Sequence, residues 1–223
     1  MQTFTTPAPI ATVLDIPAGR IRFIAADRAD TTVEVLPTTA DKHSDIKAAE
    51  QVEIDFTDGV LRIAAEPPKN KFLGDSGSVE ITVHLPADST LRAKAASAEL
   101  RGVGRLGDVV FEAAAGTVNL DETAAAHLAL QAGDIAVGRL HGPAEATTSK
   151  GDIRITEARR GTVHLRTEAG DVTIGAARGV CATLDAGTAY GRIRNSLQNT
   201  TGADAALTIH ATTSYGDITA RSN

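Results

Sequence analysis

The unit Gly-Asp-(Ile/Val)-x-apolar recurs along the second half of the chain. It stands at Gly107-Asp108-Val109, Gly133-Asp134-Ile135, Gly151-Asp152-Ile153, Gly170-Asp171-Val172 and Gly216-Asp217-Ile218, with Gly191-Arg192-Ile193 as a variant. From Gly133 onward the glycines are 18, 19, 21 and 25 residues apart. A period of roughly twenty residues means stacked supersecondary units, each able to bury its apolar face only against a neighbour. Every unit also holds a second short alternating run, as in Leu128-Ala129-Leu130, Val163-His164-Leu165, Ala182-Thr183-Leu184 and Leu207-Thr208-Ile209. Period-two alternation bounded by Gly and small polar residues is a strand signal, and no sustained helical stripe competes with it here. The expected fold is therefore all-β, a single-chain parallel β-solenoid (β-helix) of about seven short coils. The coils are drawn at 89–107, 108–126, 127–142, 143–161, 162–179, 180–205 and 206–223.

Turn chemistry accounts for the repeat. Glycines 133, 151, 170, 191 and 216 (Gly133, Gly151, Gly170, Gly191, Gly216) supply a residue tolerant of positive φ. The carboxylates of Asp134, Asp152, Asp171 and Asp217 can accept hydrogen bonds from the backbone of their own turns. The residue after each Asp points inward, and identical positions stack about 4.8 Å apart. Ile135, Ile153, Val172, Ile193 and Ile218 are thus expected in one apolar column, with Ala136, Arg154, Thr173, Arg194 and Thr219 facing outward. Residues 1–88 read differently, as longer strands at 10–14, 20–25, 31–36, 51–56, 60–64 and 79–85. Turn signals lie at Asp15-Ile16-Pro17-Ala18-Gly19 and Asp58-Gly59, and loops at 38–49, where a short helical turn fits, and 66–78. The organisation expected is an N-terminal β capping and sheet portion, 1–88, joined to solenoid repeats, 89–223.

Composition narrows the classes of function. Aromatics are 3% with no Trp, so the core must be built thin, from Val, Ile, Leu and Ala. A formal charge of −6 and no basic run disfavour nucleic acid, which is gripped by clustered Lys and Arg; Lys69 and Lys71 read as a solvated loop. A lone Cys181 offers no intrachain disulfide. The start, Met1 to Pro7, has neither a basic nor an apolar leader, and no apolar run reaches the roughly 18 residues that span a membrane. The expectation is a cytoplasmic protein with no membrane insertion.

A strand ending in Leu-Pro, then a short turn and Leu (Val83-His84-Leu85-Pro86-Ala87-Asp88-Ser89-Thr90-Leu91), followed by serial Gly-Asp-Ile units, resembles the bacterial β-strand-repeat family labelled putative adhesins. The match covers roughly 10–223. The resemblance implies a single-chain β-solenoid and brings no catalytic residues with it.

Stacked turn carboxylates could hold calcium, but the calcium-binding β-roll repeat is a nonapeptide with a different Gly/Asp order, so the aspartates read as structural. β-Helix polysaccharide enzymes use carboxylates with an Arg or Lys on an outward face, and Arg154 and Arg194 share an outward column near Asp152 and Asp171. Polysaccharide sites also offer aromatic platforms, and this face has only Tyr190 and Tyr215. The histidines show no zinc spacing and read as surface residues; no nucleophile elbow or phosphate loop is present. Catalytic residues, cofactors and metal are therefore expected to be none. Tyr190 and Tyr215 each precede a repeat glycine and should stack; with Arg154 and Arg194 they form the candidate contact patch. The functional expectation is a non-enzymatic scaffold that binds a protein partner or itself, as a dimer through the C-terminal coil. Alternatives are a surface adhesin and a polysaccharide-active β-helix enzyme.

Overall fold

The computed structural model describes residues 1–65, 77–198 and 205–223. Residues 66–76 of the loop expected at 66–78, with Lys69 and Lys71, and most of the excursion at 196–205 lie outside the described residues. The described residues are all-β with one short helix, and form two compact units, Met1–Gly116 and Thr117–Asn223. These are units of spatial contact; the division at residue 88 marks where the repeat pattern begins.

The first unit contains β1 (Gln2–Thr5), β2 (Ala11–Ala26), β3 (Asp30–Pro37), α1 (His43–Glu50), β4 (Val52–Thr57), β5 (Val60–Ala65), β6 (Val79–Pro86) and the start of β7 (Thr90–Ala132). The strands expected at 10–14 and 20–25 are one strand, β2, whose first half pairs in parallel with β5 and whose second half pairs with β6. Both halves pair with β7. The backbone turns a corner here through close packing: a Cβ on Gly19 would lie 2.2 Å from the Val79 carbonyl oxygen. Alternation in β6 buries Val79, Ile81, Val83 and Leu85 to 2% exposure or less, as its pattern predicts. Asp58 and Gly59 both take positive φ, +51° and +76°, and close the antiparallel β4–β5 hairpin. β1 and β3 are also antiparallel to their neighbours, and Phe4 packs on Phe56 with ring centroids 5.2 Å apart. The helical turn expected near 38–49 is α1, and it brings Asp45 into the interior. Burial alone would raise that carboxyl, but the Ser78 N–H at 3.1 Å and the Lys42 ammonium at 3.5 Å hold it below its ordinary range.

One member of the repeat is not a break in the strand. β7 runs through Gly107-Asp108, and through Ala126-His127 as well, so neither coil boundary drawn there coincides with a strand end. The Gly107 N–H is satisfied by the Ser89 carbonyl at 2.9 Å, and a strand that can keep its ladder has no reason to end.

The second unit contains the rest of β7, then β8 (Ile135–Leu140), β9 (Ala144–Lys150), β10 (Ile153–Ala158), β11 (Gly161–Ala169), β12 (Val172–Ala176), β13 (Ala182–Tyr190), β14 (Ile193–Ser196), β15 (Leu207–Tyr215) and β16 (Ile218–Ser222). Every pairing is parallel, in two walls. One wall runs β7-β8-β10-β12-β16-β14 and the other β7-β9-β11-β15-β13. Ile135, Ile153, Val172 and Ile218 pair in register and are at most 1% exposed. On the facing wall Leu128, Ala146, Leu165 and Ala211 do the same, again at most 1% exposed.

The order of the coils departs from the order of the sequence. The coil β15–β16 lies between β11–β12 and β13–β14. Two expectations are corrected by this. The coil at 206–223 is interior, so Ile218 is 0% exposed, and the outermost coil is the one formed by 182–196. Ile193, expected inside the column, sits at its end and is 45% exposed.

Burial in the middle of such a stack sets a sharp contrast between neighbours in sequence. Ile153→Ala should cost about 2–5 kcal/mol, and Ile153→Asp should prevent folding by burying an unpaired charge. Arg154→Asp, on the outward face, should stay within about 0.5 kcal/mol of the wild type. Denaturant unfolding of the three variants checks this, and equal tolerance would contradict the register.

Candidate functional site

Three side-chain ladders run across the coils of the second unit, and where they end defines the exposed site. The first is glycine itself. A Cβ on Gly151 would lie 2.2 Å from the Gly133 carbonyl oxygen, and one on Gly216 would lie 2.0 Å from that of Gly170, so neighbouring backbones meet with no room for a side chain. The second is threonine. Thr148 donates its hydroxyl to the Gly133 carbonyl, Thr167 to Gly151, Thr213 to Gly170 and Thr188 to Gly216, at 3.0 to 3.2 Å. These threonines went unread in the sequence, although Thr stands three residues before the glycine in four successive units: Thr148, Thr167, Thr188 and Thr213.

The third ladder is the aspartates, and their partners differ from the expectation. Each carboxylate accepts from the next coil instead of from its own turn. Asp134 Oδ1 accepts from the Asp152 N–H at 2.9 Å, Asp152 from Asp171 at 2.8 Å, Asp171 from Asp217 at 2.7 Å, and Asp217 from Arg192 at 2.9 Å. The parallel ladder leaves the N–H after each glycine turned toward the adjacent coil, where the carboxylate meets it. Arg192 occupies the carboxylate position in the outermost coil, where no further N–H is held among the described residues.

That outermost coil is the candidate site. β13 and β14 each pair with one strand only among the described residues. Three of its apolar positions, buried in the inner coils, are more open here: Ile193 is 45% exposed and Leu184 and Ala186 are half-buried, while Ala182 stays buried. Tyr190 and Tyr215 stack with centroids 5.0 Å apart and planes 4° apart, and are 68% and 62% exposed. Arg194 lies at this edge, 3.9 Å from Asp217, whereas Arg154 stands in the same outward column but three strands further in, behind Thr173 and Thr219. The structure thus gathers Tyr190, Tyr215 and Arg194 near the edge coil and places Arg154 away from them.

The opposite wall carries an outward row that the sequence reading passed over: His127, Glu145, His164, His210 and Asp185 share one register across five strands. His164 and His210 stack at 4.8 Å, while His127 pairs with Glu145 and His210 with Asp185, each at 3.2 Å. Only pairing across 46 residues of sequence joins the two stacked rings, so no local spacing could have announced them. Among the described residues no group of three or more His, Cys, Asp or Glu is arranged to hold a metal ion. No described helix is long and apolar enough to cross a membrane.

Residues 13–222 match the Toastrack DUF4097 family, and the chain belongs to it. In fold it is similar to the crystal structure of a putative adhesin from Bacteroides fragilis NCTC 9343, at 14% identity, with 98% of this chain and 95% of that chain covered and a TM-score of 0.53. It is similar also to that of a putative adhesin from Parabacteroides distasonis ATCC 8503, at 16% identity, 98% and 95% coverage and a TM-score of 0.53. No curated protein matches the sequence.

Two outcomes follow from these ladders and from an outward carboxylate, Glu122, that two side chains hold. Asp171→Ala orphans the Asp217 N–H and should cost about 1 kcal/mol, whereas Arg192→Ala, at the ladder's end, should leave thermal stability unchanged; equal effects would contradict the ladder. Glu122 is held by His141 Nε2 at 2.7 Å and by the Arg139 guanidinium. Burial opposes its ionisation, but these two partners outweigh it and hold its carboxyl below the ordinary glutamate value of 4.5. A depressed carboxylate contributes stability above the unfolded-state value and loses it as pH falls through the folded one. Glu122→Gln should therefore flatten the acid limb of stability against pH below 4.5, measured by urea unfolding at successive pH values.

Proposed function

We propose that this Toastrack DUF4097 protein is a non-enzymatic interaction scaffold, a β-solenoid that offers the coil formed by β13 and β14 to a protein partner or to another copy of itself. One observation carries the reading. The column position that is 0% exposed at Ile218 is 45% exposed at Ile193, one strand away. A strand edge with open backbone groups and an open apolar end is a template for pairing, and proteins cover, charge or occupy such edges. The residues around it are of the kind that dominate contact energies: two tyrosines, two arginines and an isoleucine. Self-association through 206–223 is replaced in this reading by association through 182–196, because β16 is already paired on both sides.

The names of the two solved relatives, both putative adhesins, support a protein that acts by contact. A polysaccharide enzyme is less well supported, since the outward arginines Arg154 and Arg194 stand three strands apart in the pairing order and do not converge. Fractionation of the native cell separates a cytoplasmic scaffold from an exported adhesin.

The test compares what wild-type protein and an Ile193→Glu variant capture from native cell extract. Ile193 is half open, so the variant should melt like the wild type yet lose the captured species. A variant that retains the whole set would overturn the edge as the contact surface.

A further inference from the structure

Among the described residues each of the two units carries an open strand edge, and the two edges are complementary. In the second unit, β14 follows the triplet pattern Arg192-Ile193-Arg194, with Ile193 in the inward column and Arg194 outward. From Tyr190 to Ser196 there is no acidic residue. In the first unit, β4 reads Glu53-Ile54-Asp55: Ile54 is half-buried and pairs with the buried Ile63, while Glu53 and Asp55 are exposed. Among the described residues β4 pairs only with β5, as β14 pairs only with β16. One open edge thus presents two cations flanking an isoleucine, and the other presents two anions flanking an isoleucine, at the same two-residue spacing.

We propose that β4 of one copy docks on β14 of a second copy, so that the protein self-associates through two unlike edges. This rests on the reading of the β13–β14 coil as a contact surface and names its occupant. Side chains two apart on one strand lie on the same face, so a single register sets both carboxylates against both guanidinium groups and brings Ile54 beside Ile193. Opposite charges facing each other across a strand pair are favourable, and like charges are not. The like pairings are therefore excluded on charge: β14 on β14 sets arginine near arginine, and β4 on β4 sets carboxylate near carboxylate. Another Gly-Asp coil stacked on β14 would find Arg192 where its N–H needs a carboxylate. What is left is the contact between unlike edges, β4 of one copy with β14 of another.

The experiment is light scattering across a concentration series on the full chain and two charge-reversed variants. One variant carries Arg192→Glu and Arg194→Glu, and the other Glu53→Lys and Asp55→Lys. Wild type should gain mass with rising concentration and lose it with added salt, because the paired charges are near the surface. Each variant alone should stay monomeric, since its two edges now repel. Mixed in equal amounts the variants should associate again, because each reversed edge meets its opposite. The single changes Arg192→Glu and Glu53→Lys, neither of which breaks an ion pair seen in the structure, should reproduce the pattern more weakly and guard against a misfolded double variant. A wild type that is monomeric throughout, or a mixture that stays monomeric, would overturn the proposal. If in that case Ile193→Glu still abolishes capture of a partner from extract, the contact surface stands and only its occupant is wrong.

Discussion

Backbone meets backbone at the glycine column, and the rest of the second unit is arranged around that contact. With Gly216 pressed against the Gly170 carbonyl there is no space for a side chain on either coil. The close approach leaves two groups to be satisfied at each corner. The glycine carbonyl turns toward the interior, where a threonine hydroxyl from the next coil reaches it, and the following N–H turns outward, where an aspartate from the previous coil reaches it. A buried carbonyl without its partner costs about 1–3 kcal/mol, so glycine, threonine and aspartate act as one corner and not as three independent preferences.

The same corner explains why the coils stack out of sequence order. If β14 lay directly on β12 with β16 outside it, Asn195 would fall between Ile174 and Ala220 in the apolar column. A buried amide without partners is expensive, and at the edge Asn195 instead satisfies its own side chain by accepting from the Leu197 N–H at 3.0 Å. Arg192 adds to the preference, because it can close a row of carboxylates but cannot continue one. Two polar residues in one short stretch therefore mark 182–196 as the outermost coil. Ile218 and Ala220, both 0% exposed, mark 206–223 as an inner one.

Much of this was legible in the sequence, and the parts that were not share a cause. Alternation located β3, β4, β5 and β6 closely, and the repeat located the inward column and the stacked tyrosines. Both are local patterns of period two or of period near twenty. What local patterns do not carry is which coil lies against which. The sequence was read as though neighbours in the chain were neighbours in space, and that placed Ile193 inside and the last coil outside. Arg192 in place of Asp was visible as a variant, but its meaning depends on the aspartates bonding across coils, which only the pairing reveals. The histidine row was missed for the same reason, since His164 and His210 meet through an inserted strand.

The inserted coil also separates the order of synthesis from the order of assembly. A growing chain presents β13 and β14 before β15 and β16 exist, at a time when the nearest available wall is β11 and β12. The corner chemistry of 182–196 is close enough to that of its neighbours for a provisional pairing to form there. Completing the native order then requires the later segment to enter between two that are already made, and to exchange ladders that are already bonded. Such an exchange is slower than adding a coil to a free end, because non-local contacts form only after long loops close. Placing β15 and β16 between strands that precede them in sequence gives this unit longer-range pairings than in-order stacking would, β11 meeting β15 across 46 residues.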